Sequence, residues 1–391
     1  MKIFHISDLH LGKIVNNFSM LEDQAHLIKQ LYFHIEREKP DVILIAGDLY
    51  DRAVPSVHAV ELLNEMLLNI IKNLNTPILA IAGNHDSGER LDFGSTLFKD
   101  SSLYISGTLK ENIDKIILQD SFGPVNFYLI PFSEPAYTRL IFNDDNIRTF
   151  DDSMNKIISK ISININTNER NIAVAHGYIS PMDSNKNSLF ELETSESEKP
   201  LSIGGSDLIN ASLFDIFDYT ALGHLHGPQK VGSDKIRYSG SLIKYSFSEV
   251  NQKKGITVID LLEKNDCQIS FIPFELKRNF RVLEDTLENI IKNAEFDINK
   301  NDYIKAIITD KGELLDPMSK LRAVYQNAME LVRKDRFLAQ NKSSNSSFGI
   351  KEKSKLSLFE NFYEEVVGEK CSFEELEIVK NIITSVEGSV L

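Results

Sequence analysis

Two apolar runs, Asp-Val-Ile-Leu-Ile-Ala-Gly at 41–47 and Pro-Ile-Leu-Ala-Ile-Ala-Gly at 77–83, each hand over at once to a metal-type side chain, Asp48 and Asn84. Runs this short and this apolar suit strands buried on both faces. Between them Val57, Val60, Leu63, Leu67, Ile70, Ile71 and Leu74 recur at helical spacing, so the stretch reads strand, helix, strand. In such folds ligands gather beyond the carboxyl ends of the strands. Residues 3–6 read as an earlier strand, and 126–131, 172–175, 219–223, 256–260 and 268–274 as later ones.

Five motifs follow these runs in order. They are Asp8-Leu-His10, Gly47-Asp48-Leu-Tyr-Asp51-Arg52, Gly83-Asn84-His85-Asp86, His176-Gly177 and Gly223-His224-Leu-His226. They hold five of the chain's nine histidines. Asp, Asn and His offer oxygen and nitrogen ligands without a thiolate, a mixture suited to Mn, Fe or Zn. In Asp8-x-His10 and His224-x-His226 the partners lie two apart, so an extended backbone points both to one side. A carboxylate shared by two cations holds them about 3.5–4 Å apart, and Asp48 is the natural bridge. Any one motif alone is ordinary turn chemistry or a hydrogen-bonded core histidine. All five in order, each after a strand, point to one site.

The 391 residues are enough for two or three domains. All five motifs fall within 1–275. Residues 276–336 read as a smaller α/β unit, with helices at 283–294 and 318–326 and a strand at 303–309. Residues 337–355 form a linker, rich in Ser, Asn and Lys from 341 onward. The tail, 356–391, carries two amphipathic helices. Phe359, Phe362, Tyr363, Val366 and Val367 line the first; Ser372 and Glu375 form a capping box for the second. Such helices either pack back on the domain or dock on a partner, and the sequence favours neither. A net charge of −14 disfavours nucleic-acid binding by the surface as a whole. No apolar run approaches the roughly 20 residues of a membrane span, and Asp8 and His10 interrupt any signal-peptide pattern. Cys267 and Cys371 lie far apart, so no disulfide framework is expected and a reducing cytoplasm is the expected compartment.

The ordered set resembles the calcineurin-like metallophosphoesterases. Within them the chain is similar to the SbcD family, the nuclease subunits of bacterial SbcCD complexes, through residues 47–56, 83–91, 204–232 and 237–249. It departs from that family's habit at Leu9, often aromatic, and at Leu242-Ile243, usually Pro-Leu. The resemblance implies an α/β fold: a metallophosphoesterase β-sandwich flanked by helices, a small α/β capping domain for DNA recognition, and C-terminal helices that bind the SbcC ATPase. It implies two divalent ions, manganese foremost. Asp8, His10, Asp48 and His226 would hold one; Asp48, Asn84, His176 and His224 would hold the other. His85 would face the scissile phosphate, the Asp51 carboxylate would orient it, and Arg52 would reach a phosphate oxygen or else make an ordinary surface ion pair.

The function so implied is exonucleolytic cutting of duplex DNA and endonucleolytic cutting of single strands and hairpins, in repair, recombination and replication. The implied assembly is a homodimer through the nuclease domain carrying two SbcC chains. Arg90, Lys186 and Lys244 are candidates for the DNA backbone, against the plainer reading of solvated charge, and the insert 184–198 reads as a loop near the site. Two rivals stand beside this: a phosphoesterase of small molecules, and a structural subunit that positions an ATPase on DNA. The second domain, linker and tail favour the nuclease over the first; the intact ligand set favours it over the second.

Overall fold

A computed structural model describes residues 1–181, 192–198, 207–334, 359, 363, 372 and 376–380. The linker 341–355, Lys186 and most of the insert and of the tail helices lie outside the described residues.

Two six-stranded sheets pack face to face. The first runs Cys267–Pro273, Gly255–Leu261, Lys2–Ile6, Val42–Ile45, Ile78–Ile81, Leu103–Ser106. The second runs Gln229–Val231, Ser233–Tyr238, Tyr219–Gly223, Arg170–His176, Gly123–Ile130, Asp114–Asp120. The central strands of both are parallel and the outermost pairs at three of the four edges are antiparallel. Alternation along each strand divides the side chains. Ile3, Val42, Leu44, Leu79 and Ile81 meet Phe127, Leu129, Ile172, Val174 and Ala221 between the sheets. Phe4, Ile6, Ile43, Ile45 and Ile78 point outward under the helices Leu21–Glu38 and Val57–Leu68. Helix Phe150–Asn164 covers the outer face of the second sheet. Parallel strands covered on both faces must be apolar throughout, which is why 42–45 and 78–81 are unbroken apolar runs. This is the metallophosphoesterase sandwich that the resemblance implies.

Several strands carry little sequence signal. Asp114–Asp120 is an edge strand whose residues alternate between half-buried and exposed, and Leu103–Ser106 and Gln229–Val231 are short and also at edges. The expected helix at 283–294 begins later. Residues Phe280–Asp285 form a strand paired in parallel with Tyr303–Ile308, and the helix is Leu287–Asn293. Thr286 sets the boundary, since its hydroxyl caps Asn289 N–H. With Ala328–Arg333 these strands make a third sheet with its own core of Leu287, Ile290, Ile304, Ala306 and Leu321. Among the described residues no helix is long and apolar enough to cross a membrane.

The third sheet is fastened to the sandwich at one junction. Arg278 Nη1 donates to Asp23 Oδ2 at 2.6 Å, and Tyr303 O–H donates to the same oxygen at 2.8 Å. The Phe247, Phe280 and Tyr303 rings pack edge to face and tilted beside them. Lys244 belongs to this junction rather than to a DNA-facing surface. Its side chain is buried, 4% exposed, and donates to the Val250 carbonyl and to Asn279 Oδ1. A lysine in the Leu-Ile-Lys-Tyr stretch reads as surface charge in sequence, and only tertiary packing buries it.

Replacing Arg278 by Ala leaves the buried Asp23 carboxylate short of its cation. Urea unfolding is expected to lose about 1.5–3 kcal/mol. Glu22→Ala, which removes the exposed partner that Arg278 shares with Lys277, is expected to leave the midpoint where it was. Equal losses in the two variants would disprove this account of the junction.

Candidate metal centre

Every predicted ligand leaves the carboxyl end of a parallel strand. Asp8 and His10 follow Lys2–Ile6, Asp48 follows Val42–Ile45, and Asn84 follows Ile78–Ile81. His176 ends Arg170–His176, and His224 and His226 follow Tyr219–Gly223. Since the two sheets are stacked, the two sets of loops meet at one rim.

There the seven side chains come together. His10 Nε2 lies 3.1 Å from His226 Nε2, and 3.6 Å from Asp48 Oδ2. The same Asp48 Oδ2 lies 3.5 Å from His176 Nε2. Asn84 Oδ1 is 2.9 Å from His176 Nε2 and 3.3 Å from His224 Nδ1. Ligand-competent atoms of Asp8, His10 and His226 cluster within 4.8 Å, as do those of Asp8, Asp48 and His176. One oxygen of Asp48 thus faces both halves. Its other oxygen accepts His85 N–H at 2.8 Å, which fixes the carboxylate plane.

The way Asp8 and His10 converge differs from the extended segment that their spacing suggests. Asp8 (φ 53°), His10 (φ 43°), Asp48 (φ 52°) and His224 (φ 113°) all have positive φ. Non-glycine residues held there cost free energy and persist only where surroundings over-determine them. Asp86 supplies part of that surrounding. Its carboxylate accepts N–H groups of Leu49, Tyr50 and Gly83 at 2.9–3.0 Å, tying the Asp48 loop to the Asn84 loop. Gly83 and Gly223 supply closeness. A Cβ on Gly83 would stand 2.2 Å from Asp48 Oδ1, and one on Gly223 would stand 1.9 Å from the Ala46 carbonyl.

The electrostatics fit a divalent cation. Burial pushes the Asp8 carboxyl up to about 7. Burial, then the nearby Asp86 charge, raises Asp48 well above the carboxylate range. Burial holds His10 and His224 well below the usual imidazole value, and lowers His226. Among the described residues no lysine or arginine is bonded to Asp8 or Asp48, and His10 Nδ1 is buried without a hydrogen-bond partner. His176 Nδ1–H donates to the Ala46 carbonyl at 2.8 Å, so its Nε2 is left as a lone pair directed inward. Neutral imidazoles and carboxylates with no cationic partner make a set that a divalent cation completes.

His85 sits beside this set, its ring 4.6 Å from that of His10. Its Nδ1 lies 2.9 Å from the Asp51 main-chain carbonyl. The Asp51 carboxylate, expected to orient His85, receives Lys13 Nζ at 2.7 Å. Arg52 is 73% exposed and 3.7 Å from Asp51. Arg90 is exposed. Sequence reasoning gave no role to Asp86, Lys13 or Tyr245, which adjoin the site. Tyr245 packs its ring against His10 and His226 and donates to the Leu9 carbonyl. Asp86 was the most legible of them, lying inside the Gly-Asn-His-Asp motif.

A family profile described as calcineurin-like phosphoesterase matches residues 1–228. A second, described as type 5 capsule protein repressor C-terminal domain, matches 277–367. The chain is 36% identical over 384 residues to a Staphylococcus epidermidis protein named as the SbcD component of the nuclease SbcCD, covering 98% of each. Among solved structures it is similar to a dimetal phosphatase from Danio rerio, at 13% identity and TM-score 0.40, covering 69% of this chain and 95% of that one. It is also similar to the GAP50 inner membrane complex anchor of Plasmodium, at 14% identity and TM-score 0.39, covering 85% and 96%.

Protons compete with cations for these ligands. The folded Asp8 carboxyl, at about 7, lies above its unfolded value. Its stabilisation of the metal-free protein is therefore full below the unfolded value and lost as pH rises through about 7. Metal affinity moves the opposite way. The difference in melting temperature between manganese-loaded and metal-stripped protein is expected to widen from about pH 5.5 to about pH 8. A constant difference across that range would show that these carboxylates do not take up the cation.

Proposed function

The chain belongs to the calcineurin-like phosphoesterases and, within them, to the SbcD family, and from that premise we propose that it is a manganese-dependent DNA nuclease working with an SbcC ATPase. It is a metal-dependent phosphodiesterase. The finer reading is exonucleolytic cutting of duplex ends and endonucleolytic cutting of single strands and hairpins. The observation that carries the reading is the single Asp48 oxygen 3.6 Å from His10 Nε2 and 3.5 Å from His176 Nε2, a bridge between two ligand sets.

In this reading Asp8, His10, Asp48 and His226 hold one ion, and Asp48, Asn84, His176 and His224 the other. When bound, such a pair lowers the pKa of water and neutralises charge on phosphoryl oxygens. The protein supplies the rest. The Asp51 carbonyl can only accept, so the bond at 2.9 Å keeps a proton on His85 Nδ1 and makes Nε2 the nitrogen that serves the substrate. Protonated, Nε2–H donates to a phosphoryl or leaving oxygen. Asp51 thus positions His85 through its backbone, while its carboxylate holds Lys13 at the same rim. Arg52, exposed on the same loop, would reach a phosphate oxygen.

The proposed domain roles follow the same premise: 1–275 cuts, 276–336 caps and recognises DNA, 337–355 links, and 356–391 binds SbcC. Val57 and Leu68 on one helix, with Phe93 and Leu97 nearby in the chain, are exposed apolar residues of the sandwich, which supports a homodimer through the nuclease domain.

End-labelled duplex DNA, bis(p-nitrophenyl) phosphate and p-nitrophenyl phosphate, compared under manganese with and without the partner ATPase, test the substrate class. Cleavage of the monoester alone would overturn the nuclease. His85→Gln is expected to keep its metal and lose about 10²–10⁴-fold in turnover. Asp48→Asn is expected to lose metal as well as activity, read by elemental analysis; full occupancy in that variant would remove the bridge.

A further inference from the structure

His226 is held at every polar atom it has apart from the one that faces the metal position. Its N–H donates to Glu198 Oε1 at 2.7 Å. Its carbonyl accepts Lys254 Nζ at 2.7 Å and Ser241 N–H at 3.1 Å. Its Nδ1 lies 2.7 Å from Ser197 Oγ and 3.5 Å from Glu249 Oε1. Only Nε2 is left, directed at His10 Nε2.

Behind these contacts lies a fully buried ion pair. Lys254 Nζ meets Glu249 Oε2 at 2.6 Å, and both side chains are 0% exposed. The ammonium also bonds Ser241 Oγ and Gln252 Oε1, each at 2.9 Å. Glu249 Oε1 accepts the hydroxyls of Ser195 at 2.7 Å and Ser197 at 2.6 Å. A buried pair of this kind is a poor source of stability, because an apolar pair of equal volume serves as well or better. Its value lies in what it orients. Ser197 gives its proton to Glu249, so its oxygen is left to accept from His226 Nδ1–H. That sequence of bonds fixes the tautomer with the Nε2 lone pair facing inward. Metal-bound histidines depend on such a partner for ring orientation and basicity.

We propose that Ser197, Glu249 and Lys254 are positioning residues that set the affinity of one of the two metal positions, the one formed with His226, and leave the other nearly untouched. The inference rests on the two-metal reading of the site. It makes the two positions unequal by design of the surroundings: His176 is oriented by a backbone carbonyl, His226 by a charged relay.

Manganese titration by calorimetry, with bound metal counted on the full chain, tests it. Wild type is expected to bind two ions. Ser197→Ala, which leaves the buried pair intact, is expected to weaken one ion by about 10–100-fold and keep the other. The double replacement Glu249→Met with Lys254→Met removes both charges together, so a merely structural pair predicts retained melting temperature and retained metal. Retained melting temperature with one ion weakened is the expected result. Two ions bound with wild-type affinities in Ser197→Ala overturns the inference, and so does the same result in the double variant. If the double variant does not fold, Ser197→Ala decides alone. A wild type that binds fewer than two ions overturns instead the two-metal reading beneath it.

Discussion

Asp48 is a carboxylate with almost no access to water, pressed between two imidazole nitrogens and fixed by a backbone N–H. Burying such a charge is costly unless a cation meets it. The rest of the architecture can be understood as the means of keeping that carboxylate in place. Two sheets bring their strand-end loops to one rim, and loops on one sheet would supply only part of the proposed ligand set. The first sheet contributes Asp8, His10, Asp48 and Asn84; the second contributes His176, His224 and His226. The stacked sandwich is therefore a requirement of the site, and its apolar interior is what holds the two halves in register.

The proposed ligands are held under local strain. Four of the seven have positive φ, a conformation without intrinsic support in Asp or His. The compensation is found close by. Asp86 gathers three amides from two loops, and Gly83 and Gly223 let backbone and side chain approach within distances that no Cβ permits. Tyr245, Lys254 and Glu249 hold the remaining side. Rigid surroundings of this sort keep metal ligands within the narrow tolerance that coordination demands.

The third sheet stands apart in composition and core, yet one arginine, one aspartate and a run of aromatic rings join it to the helix Leu21–Glu38 and to the loop that carries Tyr245. Lys244 and Tyr245 are adjacent in the chain. The first binds toward the third sheet and the second packs on His10, so the junction and the metal centre share a segment of backbone.

The motif residues were legible in the sequence because each follows an apolar strand and strand-end chemistry has few explanations. The central strands were legible for the same reason, since burial on both faces leaves a run with no polar interruption, and the helix Val57–Leu68 showed in its apolar spacing; the helices Leu21–Glu38 and Phe150–Asn164, amphipathic and rich in charge, did not stand out. The edge strand Asp114–Asp120 was not, because one exposed face gives it a mixed pattern. Nor was the fate of Lys244, the bond from the Asp51 carbonyl to His85, or the pairing of Glu249 with Lys254. The sequence by itself determined which side chains are present, in what order, and at which strand ends. Tertiary structure alone decided which atoms face one another, which charges are sealed from water, and which backbone angles the ligands adopt. The reason is physical: periodicity is a local property of the chain, whereas desolvation and convergence belong to residues brought together from 216 positions apart, as His10 and His226 are.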